Sequence, residues 1–501
     1  MSLVSSTPAY ATPGALTAPA TTNFFVAAVI LGLFVLSAGL SAERKGITAG
    51  FDEVAHASYV AHIQHSGDAW PDLNSMRLID PQSFQFTATA NYLNHPPPFY
   101  DLLAVLGPRL EGRPQALLAH RLIDIAIASL GFAALLGLGV AARFPRHEFY
   151  AFAVPLACIP VLVPIAGAVN DDNLAFLGGA VATLGAWQLV ANPLPTLPRE
   201  RGRVGRGAWL AVALLGLIAA SWAKLTGLLL IGAMLGAVIA YLLWRQRLSW
   251  SLLVPIALAF ALAAAPYIIY AVQYGSPTPQ TPAQIALLQD GARTAGWADL
   301  PRKSFPAYIV YFVIAFVADW MPALGDRNVL HYSMLAIPVA ALGCALTGIA
   351  LSLRRLWRRQ DTALDVVVIA GTVALIATFA IHVTYSYGRH LATGWLMDAY
   401  PRYYLPLAAI VPLAGLSLLA ATDAPRWRAA LLAFLIAVST TDPHAQIAFA
   451  AYALLLAVAV AVARLPFGSI VRRAALVLPF SAIFALLTWL SGDTARAVAL
   501  A

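Results

Sequence analysis

Charge is scarce in this chain. Of its 501 residues, 11% are Asp, Glu, Lys or Arg, against roughly 25% in soluble globular proteins. That excludes an ordinary soluble domain. Cysteine is nearly absent: Cys158 and Cys344 are the two present, each inside an apolar run. No disulfide framework follows, and both read as inert small hydrophobes. The first 22 residues contain no Lys or Arg, so the apolar run Phe24–Leu40 lacks the positive flank of a signal peptide and reads as a span. Residues 1–23 read as a disordered tail rich in Ser, Thr, Ala and Pro. No internal repeat is visible.

Long apolar runs fill the space that charge leaves, and 60% of residues are hydrophobic. Runs of roughly 17–25 residues, long enough to cross a bilayer, begin with Phe24–Leu40, Leu117–Ala142, Phe149–Ala168 and Leu174–Val190. Ala208–Trp222, Leu225–Trp244 and Leu252–Val272 follow. Beyond a polar interval come Met334–Leu353, Ala363–His382, Tyr404–Ala421, Ala429–Ser439, Ile447–Ala463 and Ala474–Leu490. The expected fold is all-α: a polytopic transmembrane bundle of about 11–13 spans, filling residues 24–501, with no large soluble domain.

The net charge of +8 does not point to nucleic acid. The basic residues sit in short loops between spans, where the positive-inside rule uses them. Arg143, Arg146, Arg199–Arg206, Arg245, Arg247, Arg354–Arg359, Arg426, Arg428, Arg464, Arg472 and Arg473 all fall in alternate loops. These loops are therefore cytoplasmic, and so is the N-terminus. Only five of 23 acidic residues share them. The other face carries two long loops, 41–115 and 273–332, longer than connectors require. In the first, Val54–His65 and the stretch opening at Pro96-Pro97-Pro98 have helical character and suit helices lying on the membrane surface.

Five groups on that outer face carry possible chemistry. Asp52 and Glu53, with His56 one turn on, suit a general base and its partner; residue types alone favour a helix cap with a dipole-complementing acid. His95, before a rigid Pro-Pro-Pro turn, suits a metal or a phosphate oxygen, or is incidental to a helix start. Asp171 and Asp172, in a short loop between apolar helices, are costly unless paired. They suit a divalent cation or a substrate hydroxyl; the alternative is a solvated capping turn. Lys224 is either an anion partner or a snorkelling lysine. Arg402, in Tyr400-Pro401-Arg402-Tyr403-Tyr404, offers bidentate phosphate recognition with Tyr403 available to stack on a sugar, or forms part of an interfacial belt. Arg121 and Asp124, three apart within the second span, read as an ion pair that lowers the cost of burial.

In order and type these motifs resemble the GT-C membrane glycosyltransferases, on the side of the bacterial protein O-mannosyltransferases and the lipid A aminoarabinose transferase. The resemblance rests on Phe51-Asp52-Glu53-Val54-Ala55-His56, His95-Pro96-Pro97-Pro98-Phe99-Tyr100, Asn170-Asp171-Asp172, Ala223-Lys224-Leu225 and Pro401-Arg402-Tyr403-Tyr404-Leu405-Pro406. It covers roughly the first four hundred residues. It implies an inverting transferase in a bacterial inner membrane, with its site on the periplasmic side. The donor would be a polyprenyl-phosphate-linked sugar, and the acceptor a hydroxyl of a glycan, lipid or protein. Asp52 would be the base, and Glu53 would orient it or help hold a metal. Arg402 and Lys224 would take the leaving phosphate. His95, His56 and Tyr403 would bind substrate, and Asp171 or Asp172 would be the second acidic position, with both offered as metal ligands. A divalent cation, Mg or Mn, is an optional cofactor in such enzymes. The chain departs from many relatives in ending soon after its last apolar run, which leaves acceptor recognition to the 273–332 loop or to a partner. The rival reading from another class is a transporter or flippase of a lipid-linked or anionic substrate.

Overall fold

The computed structural model describes residues 18–420, apart from 160, 192–200, 320–331 and 397. The last three expected spans, beyond Ala421, lie outside the described residues.

Helix α1 (Ala18–Arg44) enters the first long loop, which is itself folded. It holds α2 (Glu53–Ser66), a hairpin of β1 (Arg77–Ile79) and β2 (Phe86–Ala90), and α3 (Pro98–Leu106). The antiparallel hairpin pairs Arg77 with Ala90 and Ile79 with Phe86. Tyr59, Met76, Phe99, Tyr100 and Leu103 give this segment a small core of its own. Both helices expected there are present. The hairpin is an addition that the sequence reading did not anticipate.

The bundle continues with α4 (Leu117–Ala141), α5 (Arg146–Ala157), α6 (Leu162–Ala166), α7 (Asp172–Ala191), α8 (Arg201–Ala223), α9 (Leu225–Trp244) and α10 (Leu253–Tyr274). Then come α11 (Pro282–Thr294), α12 (Phe305–Asp319), α13 (Tyr332–Trp357), α14 (Ala363–Thr393) and α15 (Ile410–Ala420). Among the described residues six helices are long and apolar enough to cross a membrane, or seven if the bent pair 401–407 and 410–420 counts as one. The chain is a multi-pass membrane protein. Helix α10 exposes Val254, Leu258, Leu262, Ile268 and Val272, the pattern of a helix that faces lipid.

Two expected features differ. The run Phe149–Ala168 is not one helix but α5 and α6, separated around residue 158. Pro155, Pro160 and Pro164 fall in it, and each removes a backbone donor. The 273–332 loop is not wholly polar: α12 is an apolar helix within it, packed antiparallel along α14. Tyr308 of α12 meets Tyr387 and His390, while Phe316 lies against Phe379.

Small residues set the closest packing. Gly178 and Gly185 of α7 face the backbone of Ala220 and Ala213 on α8, and Gly216 faces Ala182 in return. Without a hydrophobic drive between helices in lipid, backbone contact of this kind is what holds spans together. Gly179, on α7, lets the carbonyl of Pro406 approach where a Cβ would sit. That contact fixes the Pro401–Leu407 turn against α7.

Candidate active site

The base candidate sits on an unusual piece of backbone. Gly50, Phe51 and Asp52 have φ of 119°, 62° and 58°. Two successive non-glycine residues in the left-handed region cost on the order of 1–3 kcal/mol each, and such strain persists only where the surroundings impose it. Asp52 precedes α2 but makes no side-chain cap, which removes the capping alternative. Its carboxylate turns the other way: Oδ2 lies 2.9 Å from Nη2 of Arg402, and Oδ1 accepts a bond from the Tyr92 hydroxyl at 3.1 Å. The side chain remains 42% exposed. The surrounding protein mass raises the Asp52 pKa, but the Arg402 cation, then His56 and the bonds from Arg402 and Tyr92, outweigh it, so the net shift is downward. Asp52 is an ionised carboxylate with one side open.

Glu53 is different. It is buried, and its two oxygens accept from Nε and Nη2 of Arg121 at 2.7 and 2.6 Å. Oε1 also accepts from the backbone N–H of Val169 at 2.9 Å. The expected pairing of Arg121 with Asp124 is therefore corrected: Arg121 is bound to Glu53, and Asp124 accepts from Asn173 at 3.0 Å. Glu53 offers both oxygens to the fork of Arg121, a bidentate geometry that is stronger than a single contact.

The acidic pair is no solvated turn. Asp171 and Asp172 are both buried, while the side chain of Asn170 takes the capping role by accepting from the Asp172 N–H at 2.8 Å. Lys224 reaches both acids, with Nζ 3.1 Å from Asp171 Oδ1 and 2.6 Å from Asp172 Oδ1. It stands in extended backbone (φ −157°, ψ 144°) between α8 and α9, where the break lets a buried side chain point along the helix ends. Burial works against the ammonium, but Asp171 and Asp172 hold its pKa above the ordinary value. Burial likewise raises Asp171, and His95 and Lys224 more than reverse this, so it stays ionised. Lys224 does not snorkel.

Arg402 is also buried, and closes the network. Besides Asp52, its Nε lies 3.8 Å from Asp172 Oδ2. Its guanidinium stacks within 5.6 Å of Tyr403, and Lys224 lies 4.5 Å from the same ring. Tyr403 thus presents its ring to two cations.

The histidines form a second layer. His95 Nδ1 is 2.5 Å from Asp171 Oδ2 and 3.3 Å from the Tyr100 hydroxyl. His56 shares that hydroxyl at 2.9 Å, and its other nitrogen is 3.2 Å from Asn170 Nδ2. Burial drives the His56 pKa down to about 3, the charge of Asp171 notwithstanding. It is neutral and can act as a ligand. His56, His95 and Asp171 each offer a donor atom within 4.8 Å of the others, and the set fits a metal ion. Two imidazoles and one carboxylate suit zinc-like ions better than the expected Mg or Mn. The expected Asp171–Asp172 metal pair is instead bridged by Lys224, whose charge repels an ion at that place; Asp171 alone turns to the histidines.

All nine residues singled out from the sequence lie in this network or its rim. Missed were Tyr92 and Tyr100, which contact Asp52 and the two histidines. Tyr100 stood in a quoted motif, but nothing in its spacing marked it. Tyr92 carried no signal.

No family model matches the chain, and no curated protein matches it. Its fold is similar to that of the Archaeoglobus fulgidus oligosaccharyltransferase in the apo form, with a TM-score of 0.42 and 13% identity. That match covers 82% of this chain, which spans 56% of the length of the other. It is also similar to ArnT from Cupriavidus metallidurans, in the apo state (TM-score 0.36, 14% identity, 80% of this chain and 78% of that one) and bound to undecaprenyl phosphate (TM-score 0.37, 16% identity, 79% and 78%).

Proposed function

We propose that this protein is an inverting membrane glycosyltransferase that moves a sugar from a polyprenyl-phosphate donor to an acceptor hydroxyl on the non-cytoplasmic side. The observation that carries this is one continuous charge chain, Arg402–Asp52 and Arg402–Asp172–Lys224–Asp171–His95, built from five separated segments. Its open end is the Asp52 carboxylate, and behind it two buried cations, Arg402 and Lys224, alternate with the buried acids Asp172 and Asp171. That polarity suits a reaction that takes a proton at one side and releases an anion at the other.

In this reading the acceptor oxygen attacks the anomeric carbon and its proton passes to Asp52. The bond from that carbon to the phosphate oxygen breaks with its electron pair, and the polyprenyl phosphate leaves toward Arg402 and Lys224. Attack opposite the leaving group inverts the anomeric centre. Tyr403 borders the sugar position. Glu53 keeps the base in place from behind. His56, His95 and Asp171 would hold a divalent ion, which when bound supplies Lewis-acid stabilisation of phosphate oxygens. The lipid tail lies along the bundle, so the donor stays in the bilayer; a bacterial inner membrane is the setting we assign. The acceptor is a hydroxyl-bearing glycan, lipid or protein.

The test offers radiolabelled polyprenyl-phosphate sugars to purified protein in lipid, beside Asp52→Asn. Transfer by wild type alone supports the reading. Movement of intact donor across vesicles without sugar release would replace it with a flippase.

A further inference from the structure

Arg121 and Asp124 lie three residues apart on α4, both buried, and neither forms a hydrogen bond or ion pair to Asp52, Lys224 or Arg402 among the described residues. Each is tied instead to a different acidic motif. Arg121 holds both sides of the base loop. Its Nη1 donates to the carbonyls of Ala42 and Lys45 at 2.6 and 2.8 Å, before the left-handed turn. Its Nε and Nη2 take Glu53, just after it. Asp124 accepts from Asn173 Nδ2 at 3.0 Å, and the same amide donates to the carbonyls of Ile165 and Ala168 at 3.1 and 3.2 Å. Glu53 joins the two ties through the Val169 N–H.

We infer that α4 is the ruler of this site: Arg121 and Asp124 are positioning residues that set the base loop 45–53 at a fixed distance from the acidic loop 169–173. Three residues of α-helix separate the two anchor points by about 4.5 Å along the axis, on one face. A buried ion pair is poorly explained as a source of stability, since apolar residues of the same volume usually do as well. What a forked cation gives that leucine does not is a defined geometry at several acceptors at once. The Gly50–Phe51–Asp52 backbone needs that, because its three positive φ angles would relax if either side were free.

The inference rests on the transferase reading for its kinetic consequence but not for its structural one. Two measurements keep them apart. Hydrogen exchange in lipid should show protection lost across 45–53 in Arg121→Met, and across 165–173 in Asp124→Leu, with distant spans unchanged. Unaltered protection in both loops overturns the proposal whether or not any sugar is transferred. In the transfer assay Asp124→Leu should lower kcat by about 10²-fold, the scale on which small misplacements act, with KM for the donor unchanged. Asp124→Asn keeps the accepting oxygen and should restore the rate. Arg121→Lys keeps the charge, loses the fork and should not. A rise in KM in place of the fall in kcat would make these residues binding groups. An Asp124→Asn variant as slow as Asp124→Leu would give Asp124 a charge role. Either result sinks the positioning assignment. Should wild type transfer nothing while the exchange pattern appears, the transferase reading fails and the ruler stands.

Discussion

Arg402 and Asp52 are 350 residues apart and meet at 2.9 Å, so the cation assigned to the leaving phosphate also holds the base. The sign of its effect is definite. Asp52 accepts a proton only when ionised, and Arg402 keeps its pKa below the ordinary carboxylate value. The acid limb of kcat/KM should therefore lie below that value. In Arg402→Met the largest lowering influence is gone, while burial, which raises, remains. The limb should move to higher pH, and donor KM should rise as well. A pH–rate profile of both proteins checks this; a limb that stays in place separates Arg402 from the base.

Lys224 neutralises two buried acids at once. Lys224→Met leaves Asp171 to His95 and Asp172 to a 3.8 Å contact with Arg402, and breaking one side of a buried pair typically costs about 3–5 kcal/mol. The variant should melt well below wild type in detergent. Adding Asp172→Asn to it should recover part of the loss, because the more weakly paired of the two acids is removed.

The His56, His95 and Asp171 group makes a separate prediction about content. Protein purified without chelator should carry a divalent transition ion by elemental analysis, with zinc retained in preference to magnesium. His95→Ala, at a half-buried position, should lose the ion while staying folded. Equal magnesium retention in both proteins would remove the group as a metal site.

Gly179 bears on the placement of Arg402 without touching it. A methyl there meets the Pro406 backbone, which cannot yield like a side chain. Gly179→Ala should cost about 1–3 kcal/mol, the usual range for overpacking, and push the 401–407 turn from α7. Transfer should fall more than stability predicts, since Arg402 moves with the turn. Gly137, where a Cβ meets nothing within 4 Å, is the control position: Ala there should leave both unchanged.

The spans were readable because lipid permits few alternatives: an apolar run of sufficient length has to be a helix. The same rule hid the break between α5 and α6, since hydropathy does not register three prolines. It also hid α12, whose fifteen residues fall below the usual length of a span. At the site, residue types exposed Asp52, Asp171, Asp172, Lys224 and Arg402, because charges beside apolar runs are conspicuous. Their partners were not readable. Arg121 has one acid near in sequence, Asp124, and one far in sequence but near in space, Glu53, and local spacing favoured Asp124. Only the tertiary fold brings Glu53 within reach. Asp52 looked more like a cap on residue types alone; its backbone angles and the direction of its carboxylate show otherwise.

Three helices begin at this site: α2 at Glu53, α7 at Asp172 and α9 at Leu225. Each start aligns its first peptide N–H groups toward the site, equivalent to roughly half a positive charge. Helix starts of this kind favour anions, yet nothing in them titrates and nothing in them can be drawn away by a substrate as a lysine or arginine can. In the proposed reaction, a phosphate drawing Arg402 from its carboxylate would leave acids that still face a field of fixed sign. The attraction that remains is a property of the backbone, indifferent to pH and beyond the reach of any side-chain substitution.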